Sequence, residues 1–448
     1  MPATRERLFR AFFLALLLAG LLAPGASRAA LRYDREELPG GAVLLVKESP
    51  ELPMVNVQIS LDAGSRREPP GKAGLAQMTA SLLARGAAGK NALEIAKLND
   101  ALGGGAGVSA GRDHVTASLK VLTRDLEEGA GLLADILRRP AFPPDEIEKT
   151  RSQTLGSLRK QQDRPGYLAG LAFRRELYGN TAEGRQVEGS PETVPLIRRE
   201  DIQAFHRNWY GMKGAIFVFV GDITLQRARD IVLQHFQGWE AKGGEAPSPP
   251  LPPAPKGLKA VKVDRPLTQA TVVLGNRSLT RKNPDFYAAR VMNYILGGGG
   301  FESWLMNNLR EQKGLVYGVY SMFESDADSG LWRLVLQTKN ESANQAIDES
   351  LVEVRRMQES GISEQQLEEA KAFITGSFAT QFSSSGRIAD FILSVERLGF
   401  DPGYADRYPQ LIRAVTREQV QEAARKHIKL DEAVLAVVGN MAEAKLKR

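Results

Sequence analysis

Two hydrophobic rhythms run through this chain, one of period two and one of period near 3.6, and they recur in the same order in each half. From Met54 to Leu61 the residues Val55, Val57, Ile59 and Leu61 alternate with polar neighbours, as a half-buried strand requires. Ala73 to Arg85 predicts a helix. Asn91 to Leu102 predicts a second, ending at Gly103-Gly104-Gly105, and Val115 to Leu122 a strand with Val115, Ala117, Leu119 and Val121 on one face. Leu126 to Leu137 is helical again. Pro140, Pro143 and Pro144 then break the chain before a long polar helix from Asp145 to Asp163, and Ala215 to Val220 is a continuous apolar strand closing on Gly221-Asp222.

The second half repeats this order. Ala270 to Leu274 answers the first strand, Met292 to Gly300 answers Asn99 to Gly105, and Trp332 to Leu336 answers Val115 to Leu122. Leu155-Gly156-Ser157-Leu158 parallels Thr375-Gly376-Ser377-Phe378, and the strand ending at Gly221-Asp222-Ile223 parallels Val434 to Met441. A repeat of about 200 residues is a duplicated domain, since solenoid periods run roughly 20 to 50. Ser363 to Gln366 and Thr416 to Gln419 read as capping boxes. Each copy mixes hairpin-like strands with helices, which predicts an α+β fold of two homologous domains, each an antiparallel-rich mixed sheet covered by helices on one side. The predicted units are 31–237 and 258–448. Between them, 238–257 holds six prolines and four glycines and predicts a stiff, extended, exposed linker.

Composition narrows the setting. The 448 residues exceed one ordinary domain, and the 43% hydrophobic and 25% charged fractions are those of a folded protein. Arg5, Arg7 and Arg10 precede the apolar run Ala11 to Ala23, and Ser27-Arg28-Ala29 offers small residues where a signal peptidase reads, so residues 1–29 are expected to be a secretory signal. Thirteen apolar residues fall short of the roughly 20 that span a bilayer, and no transmembrane segment is expected in the mature chain. With no cysteine, the fold must rest on core burial, and a periplasmic location fits. Removing four arginines and one glutamate with the signal takes the formal charge from +6 to 6 − 3 = +3, too mild to argue for nucleic acid.

The chemistry concentrates in Leu296 to Ser321, LGGGGFESWLMNNLREQKGLVYGVYS. Gly297, Gly298, Gly299 and Gly300 let the backbone take positive φ and sit close to a neighbour or ligand. Phe301, Leu305 and Leu309 then fall at helical spacing, the helix runs to Gly314, and a strand begins. Arg310 stands at the helix end and Tyr317 just past the turn. No Gly-Lys-Ser/Thr follows the glycines, which excludes a phosphate loop.

This segment resembles the second-domain signature of the pitrilysin/insulinase family of zinc peptidases: a glycine run, a helix of the form LMxxLRExxGLVY, and an arginine and tyrosine seven apart. The resemblance covers nearly all of 31–448 and implies two domains closed as a clam shell. It implies that Arg310 and Tyr317 hold the substrate carbonyl across the chamber from the metal, with Gly297 to Phe301 lying along the substrate. Trp304 departs from the pattern, where family members usually carry arginine.

In a working member, the first long helix carries His-x-x-Glu-His, two imidazoles for zinc and a glutamate as general base. Here, by register with the family's Gly-Leu-Ala start at Gly74-Leu75-Ala76, Gln77 and Ser81 stand at the histidine positions and Ala80 at the glutamate. The third ligand position falls near Ser157. None of these residues suits zinc, and alanine takes no proton from water. The four histidines, His114, His206, His235 and His427, show no ligand spacing, and Asp113 and Glu302 read as solvated charges.

The resemblance therefore implies a non-catalytic, zinc-less subunit of a two-chain peptidase. A zinc-bearing homologous partner subunit would supply metal and base, and this chain would bind no cofactor and would grip a peptide or unfolded polypeptide substrate. Two other readings stand beside it. One is a non-enzymatic structural or peptide-binding homologue; the other, an independent peptidase with unusual ligands, predicts zinc in the isolated chain.

Overall fold

The computed structural model describes residues 31–448 except 245, 246 and 248. The expected signal segment, 1–29, lies outside the described residues.

The first unit opens with a hairpin, β1 (Asp34–Leu38) and β2 (Ala42–Glu48), which precedes the first alternating run at Met54. β3 (Met54–Leu61) follows, then α1 (Leu75–Leu83), α2 (Ala92–Ala101), β4 (Ala106–Ala110) and β5 (Val115–Leu122). Next come α3 (Leu126–Arg138), α4 (Pro144–Gln162), α5 (Pro165–Tyr178), α6 (Arg199–Trp209), β6 (Ile216–Gly221) and α7 (Leu225–Phe236). The sheet order is β1-β2-β6-β3-β5-β4, with β2 and β6 parallel and every other pairing antiparallel. α2 starts where the sequence says it should: the Asn91 side chain accepts from the Glu94 amide at 3.0 Å while the Glu94 carboxylate accepts from the Asn91 amide at 2.8 Å.

The second unit builds the same sheet without the leading hairpin strand. β7 (Lys259–Asp264), β8 (Gln269–Arg277), α8 (Phe286–Asn293), β9 (Val316–Ser325), β10 (Gly330–Lys339), α9 (Ala343–Glu359), α10 (Glu364–Ser377), α11 (Ser385–Arg397), α12 (Tyr404–Arg413), α13 (Arg417–His427) and β11 (Val434–Gly439) follow in turn. The sheet order β9-β10-β8-β11-β7 reproduces β4-β5-β3-β6-β2 strand for strand, including its one parallel pair. Both predicted capping boxes are formed, at Ser363/Gln366 and Thr416/Gln419. One equivalence needs correcting. Met292 to Gly300 ends the first helix after the first long strand, so its topological counterpart is α1; the counterpart of α2 is the helix beginning at Trp304.

Helix cover is also more than one-sided, because the units exchange helices. α5 of the first unit lies on the second sheet, where Ala169, Phe173 and Leu177 pack with Val273, Val434, Ala436 and Val438. α11 of the second unit lies on the first, where Ala389, Ile392 and Leu393 meet Leu45, Val218 and Val220. This explains why Ile216–Gly221 and Val434–Gly439 read as unbroken apolar runs: a central strand covered on both faces has no polar side to show.

Polar contacts follow the same exchange. Tyr178 Oη donates to the Gly330 carbonyl at 3.0 Å, Arg35 meets Glu396 at 3.0 Å, and Gln58 Nε2 donates to Asp390 Oδ1 at 2.7 Å. The proline-rich stretch forms no helix or strand among its described residues, yet its start is not free. Trp239 is buried in the first core and its carbonyl accepts from the Met212 amide at 2.8 Å, which extends the first unit past the expected limit at 237.

Candidate functional site

The first wall of the expected site is α1. Gly74 at its N-cap has φ near +98°, and a Cβ there would lie 2.9 Å from the Glu188 carbonyl oxygen, so the helix start needs glycine on both counts. The Glu68 carboxylate caps this end, accepting from the Gly74 and Ala76 amides at 3.1 and 2.9 Å. Burial pushes its carboxyl up to about 8, against the pull of those amides and of Arg185. The helix thus keeps its placement while its working face has changed. Gln77 Nε2 donates to Ser81 Oγ at 3.2 Å, and Ala80 is buried.

Ser157 sits exposed on α4, which packs on α1, and its Oγ accepts from Gln161 Nε2 at 3.5 Å. A neutral amide and two hydroxyls do not fit zinc, which takes imidazole, thiolate or carboxylate. Among the described residues no group of three or more histidine, aspartate or glutamate side chains could hold a metal ion.

The four histidines are dispersed and individually engaged. His206 contacts the Leu137 carbonyl at 2.8 Å, His235 meets Glu127 at 2.8 Å, and His427 meets Asp285 at 2.9 Å. His114 Nε2 lies 2.9 Å from the Arg397 guanidinium across the junction between units, so that nitrogen accepts and the ring is neutral. Burial, with Arg397 beside it, lowers the His114 imidazole to about 4. Asp113 is not the solvated charge the sequence suggested: it is half-buried and pairs with Arg66 at 2.7 Å.

The second wall is the glycine-rich segment, and it departs from the simple helix expected. α8 widens into a π-helical turn over Tyr294–Gly298, a short 3-10 turn spans Gly300–Glu302, and the next helix starts at Trp304 and is π-helical from Met306 to Gln312. Of the four glycines only Gly300 has positive φ, at +62°. Gly297 is needed for a different reason. A Cβ there would stand 2.7 Å from the Ser321 amide nitrogen and 2.5 Å from its Oγ, so the helix lies against β9 only because no side chain intervenes.

Leu305 and Leu309 fill the core as expected, but Phe301 does not join them. It sits in the 3-10 turn, 61% exposed. Its ring lies 4.8 Å from the Arg310 guanidinium, and the Tyr317 ring lies 5.2 Å from the same group. Phe301, Arg310 and Tyr317 therefore form one cation–π stack, with the guanidinium within reach of both aromatic rings.

Tyr317 is placed by a β-bulge. Val316 pairs with Thr338 and Gly318 with Gln337, so Tyr317 is an extra residue with no partner on β10. The extra residue breaks the alternation, Val316 and Val319 are both buried, and Tyr317 projects with 81% of its surface exposed. Arg310 has one carboxylate near it among the described residues, Glu311 at 3.5 Å, an exposed contact too weak to hold it elsewhere. Trp304 turns into the core, with Arg356 4.2 Å above its ring, and adds nothing to this surface. No hydrogen bond or ion pair among the described residues joins Arg310 or Tyr317 to Gln77 or Ser81.

This surface presents a guanidinium with five N–H donors and a phenol, with a glycine-lined approach beside them. Such a set can polarise or hold a carbonyl; it carries no base and no metal. The stack and the bulge escape sequence reasoning, which expects Val316, Gly318 and Tyr320 to alternate regularly against Leu315, Tyr317 and Val319; the shift between Val316 and Gly318 breaks that alternation.

Residues 43–190 match the model of the insulinase family, peptidase family M16, and residues 197–374 match that of the peptidase M16 inactive domain. An uncharacterized zinc protease of Mycobacterium leprae is 29% identical over 348 residues, covering 76% of this chain and 77% of that protein. A Helicobacter pylori protein described as a non-peptidase homolog is 24% identical over 435 residues, covering 96% and 98%. The crystal structure of a peptidase M16 inactive domain from Pseudomonas fluorescens superposes with a TM-score of 0.85 at 29% identity, covering 91% of this chain and 98% of that one.

Proposed function

Because the chain belongs to the insulinase (M16) peptidase family and its own metal positions do not fit zinc, we propose that it is the zinc-less subunit of a heteromeric metallopeptidase of the periplasm. The observation that carries this reading is the asymmetry between the walls. α1 keeps its capped, glycine-dependent start yet has lost every metal-binding side chain, while Arg310 and Tyr317 are held outward by a π-helical turn, a bulge and an aromatic stack. An exposed bulge and an exposed tyrosine add nothing to core burial, so their use lies in what they touch.

A zinc-bearing homologous subunit supplies metal and base, and this chain grips the substrate. Arg310 and Tyr317 donate hydrogen bonds to a peptide carbonyl, and Gly297 to Phe301 line the approach of an extended or unfolded polypeptide. Donors aimed where carbonyl charge develops are worth about 100- to 1000-fold in rate each. The test mixes the purified chain with its zinc-bearing partner and follows peptide turnover. Arg310→Ala with Tyr317→Phe should lower kcat by at least about 100-fold while leaving assembly intact; unchanged turnover sinks the assignment.

The name of the Helicobacter pylori relative favours a second reading, a peptide-binding homologue without enzymatic work. Purification from the native host separates the two: a histidine-bearing homologue that co-purifies supports the first, and tight peptide binding without such a partner supports the second.

A further inference from the structure

A cavity of about 300 Å³ opens in the second unit between α8, α10 and β9. These are the topological counterparts of α1, α4 and β4, the elements that bear or adjoin Gln77, Ser81 and Ser157 in the first unit. Where the first unit has neutral polar groups, the second has two arginines. We propose that this cavity is a carboxylate pocket that takes the C-terminal residue of a peptide with an apolar last side chain, an inference that rests on the peptide-binding part of the reading above.

Charge and satisfaction point to the ligand. Arg281 and Arg290 line the cavity, no acidic side chain does, and neither arginine has a carboxylate partner among the described residues. Arg281 is fixed rather than floating. Its guanidinium lies 3.7 Å from the Phe286 ring and 4.8 Å from Phe400, and Nη2 donates to Tyr404 Oη. Its Nη1 is buried with no hydrogen-bond partner among the described residues. A buried charged donor left unmade is costly, and a ligand oxygen is the acceptor it lacks.

Arg290 Nε donates to Tyr408 Oη at 3.0 Å, which anchors the second guanidinium on the wall of the same cavity. Asn293 is not available to a ligand: Nδ2 donates to the Ser321 carbonyl at 2.9 Å and Oδ1 accepts from Ser321 Oγ at 2.8 Å. Charge recognition therefore falls to the two guanidiniums, whose flat forks match a carboxylate, with the buried, unpartnered Ser325 hydroxyl as a further donor among the described residues.

Beyond the arginines and Asn293 the lining mixes three hydroxyl residues, Tyr294, Ser325 and Ser377, with apolar ones, Phe323 and Phe373 prominent, and the volume suits one terminal residue rather than a long chain. Gly298 borders the cavity, so its mouth adjoins the glycine run along which the substrate is placed.

The experiment measures fluorescence anisotropy of a labelled nonapeptide ending in leucine, as free acid and as C-terminal amide, on the full mature chain without partner. The acid should bind at least tenfold tighter. Arg281→Gln and Arg290→Gln should each bring the two forms toward equal affinity by weakening the acid alone, and N-acetyl-leucine should displace the acid where N-acetyl-leucinamide does not. Should Arg281→Gln fail to fold, Arg290→Gln and the acid-to-amide ratio of the unmodified chain still decide. Equal binding of acid and amide overturns the pocket while leaving the Arg310 and Tyr317 assignment standing. Displacement by decanoate but not by N-acetyl-leucine overturns it too, in favour of a fatty acid. Loss of the turnover effect at Arg310 and Tyr317 would fail the earlier reading without touching the acid-to-amide ratio.

Discussion

Phe173→Ala tests whether the exchanged helices make the two units one cooperative body. Phe173 belongs to the first unit by sequence, yet it is fully buried against the second sheet among Val273, Leu331, Ala436 and Val438. Its ring tip lies 3.0 Å from where a Cβ on Gly275 would stand, so the ring fills the dent that this glycine leaves in β8. Truncation removes a whole buried ring and opens a cavity between two elements that are both held in place elsewhere, so collapse is limited. Phe→Ala changes of this kind cost about 3–5 kcal/mol. At about 2.1 cal/mol/K per residue, one cooperative body of about 400 residues shifts by roughly 1.2 °C per kcal/mol, so the midpoint should fall by about 4–6 °C.

Calorimetry reads the shift, and hydrogen exchange resolved by peptide reads its place. Protection should drop first in Gln269–Arg277 and Val434–Gly439, strands on the far side of the linker from the mutated residue. If those strands keep full protection while only the first unit loosens, or if the transition splits into two independent steps in the unmodified chain, the exchange does not couple the units. Coupling matters for function because the two walls of the proposed site sit on different units.

Two further outcomes follow from single contacts. Gly297→Ala places a methyl 2.7 Å from the Ser321 amide, a strand backbone that cannot step aside, so stability should fall by about 1–3 kcal/mol in denaturant titration. Tyr317 should lose its fixed projection in the same variant, read as faster quenching or altered side-chain NMR shifts. His114 is neutral in the fold and held at about 4 against 6.5 when unfolded, so the unfolded chain binds more protons between those values. Stability should therefore be full above pH 6.5 and fall as pH drops toward 4, by at most ~3 kcal/mol, as protonation sets a second cation beside Arg397. Besides Arg397, the groups acting on His114 are Asp113 and Asp62, which oppose the effect. His114→Gln should flatten that part of the pH profile; an unchanged slope in the variant refutes the assignment.

The sequence by itself determined the local elements and the missing chemistry. Alternation at Val55, Val57, Ile59 and Leu61 gave β3 its bounds and the Ser363 and Thr416 caps fixed two helix starts, because each depends on residue type and spacing within a few positions, while Gln77, Ala80 and Ser81 were placed at the metal positions by family register. Tertiary structure decided what spans long separations. Which sheet α5 and α11 cover depends on contacts more than a hundred residues apart, and an apolar helix face looks the same whichever sheet receives it. Tyr317 is likewise aimed by an unpaired residue in a ladder whose partner strand lies some twenty residues on, and Phe301 joins Arg310 rather than the core because the helix starts three residues later than its periodicity suggests. Periodicity records how much surface a residue must hide; it does not record from what.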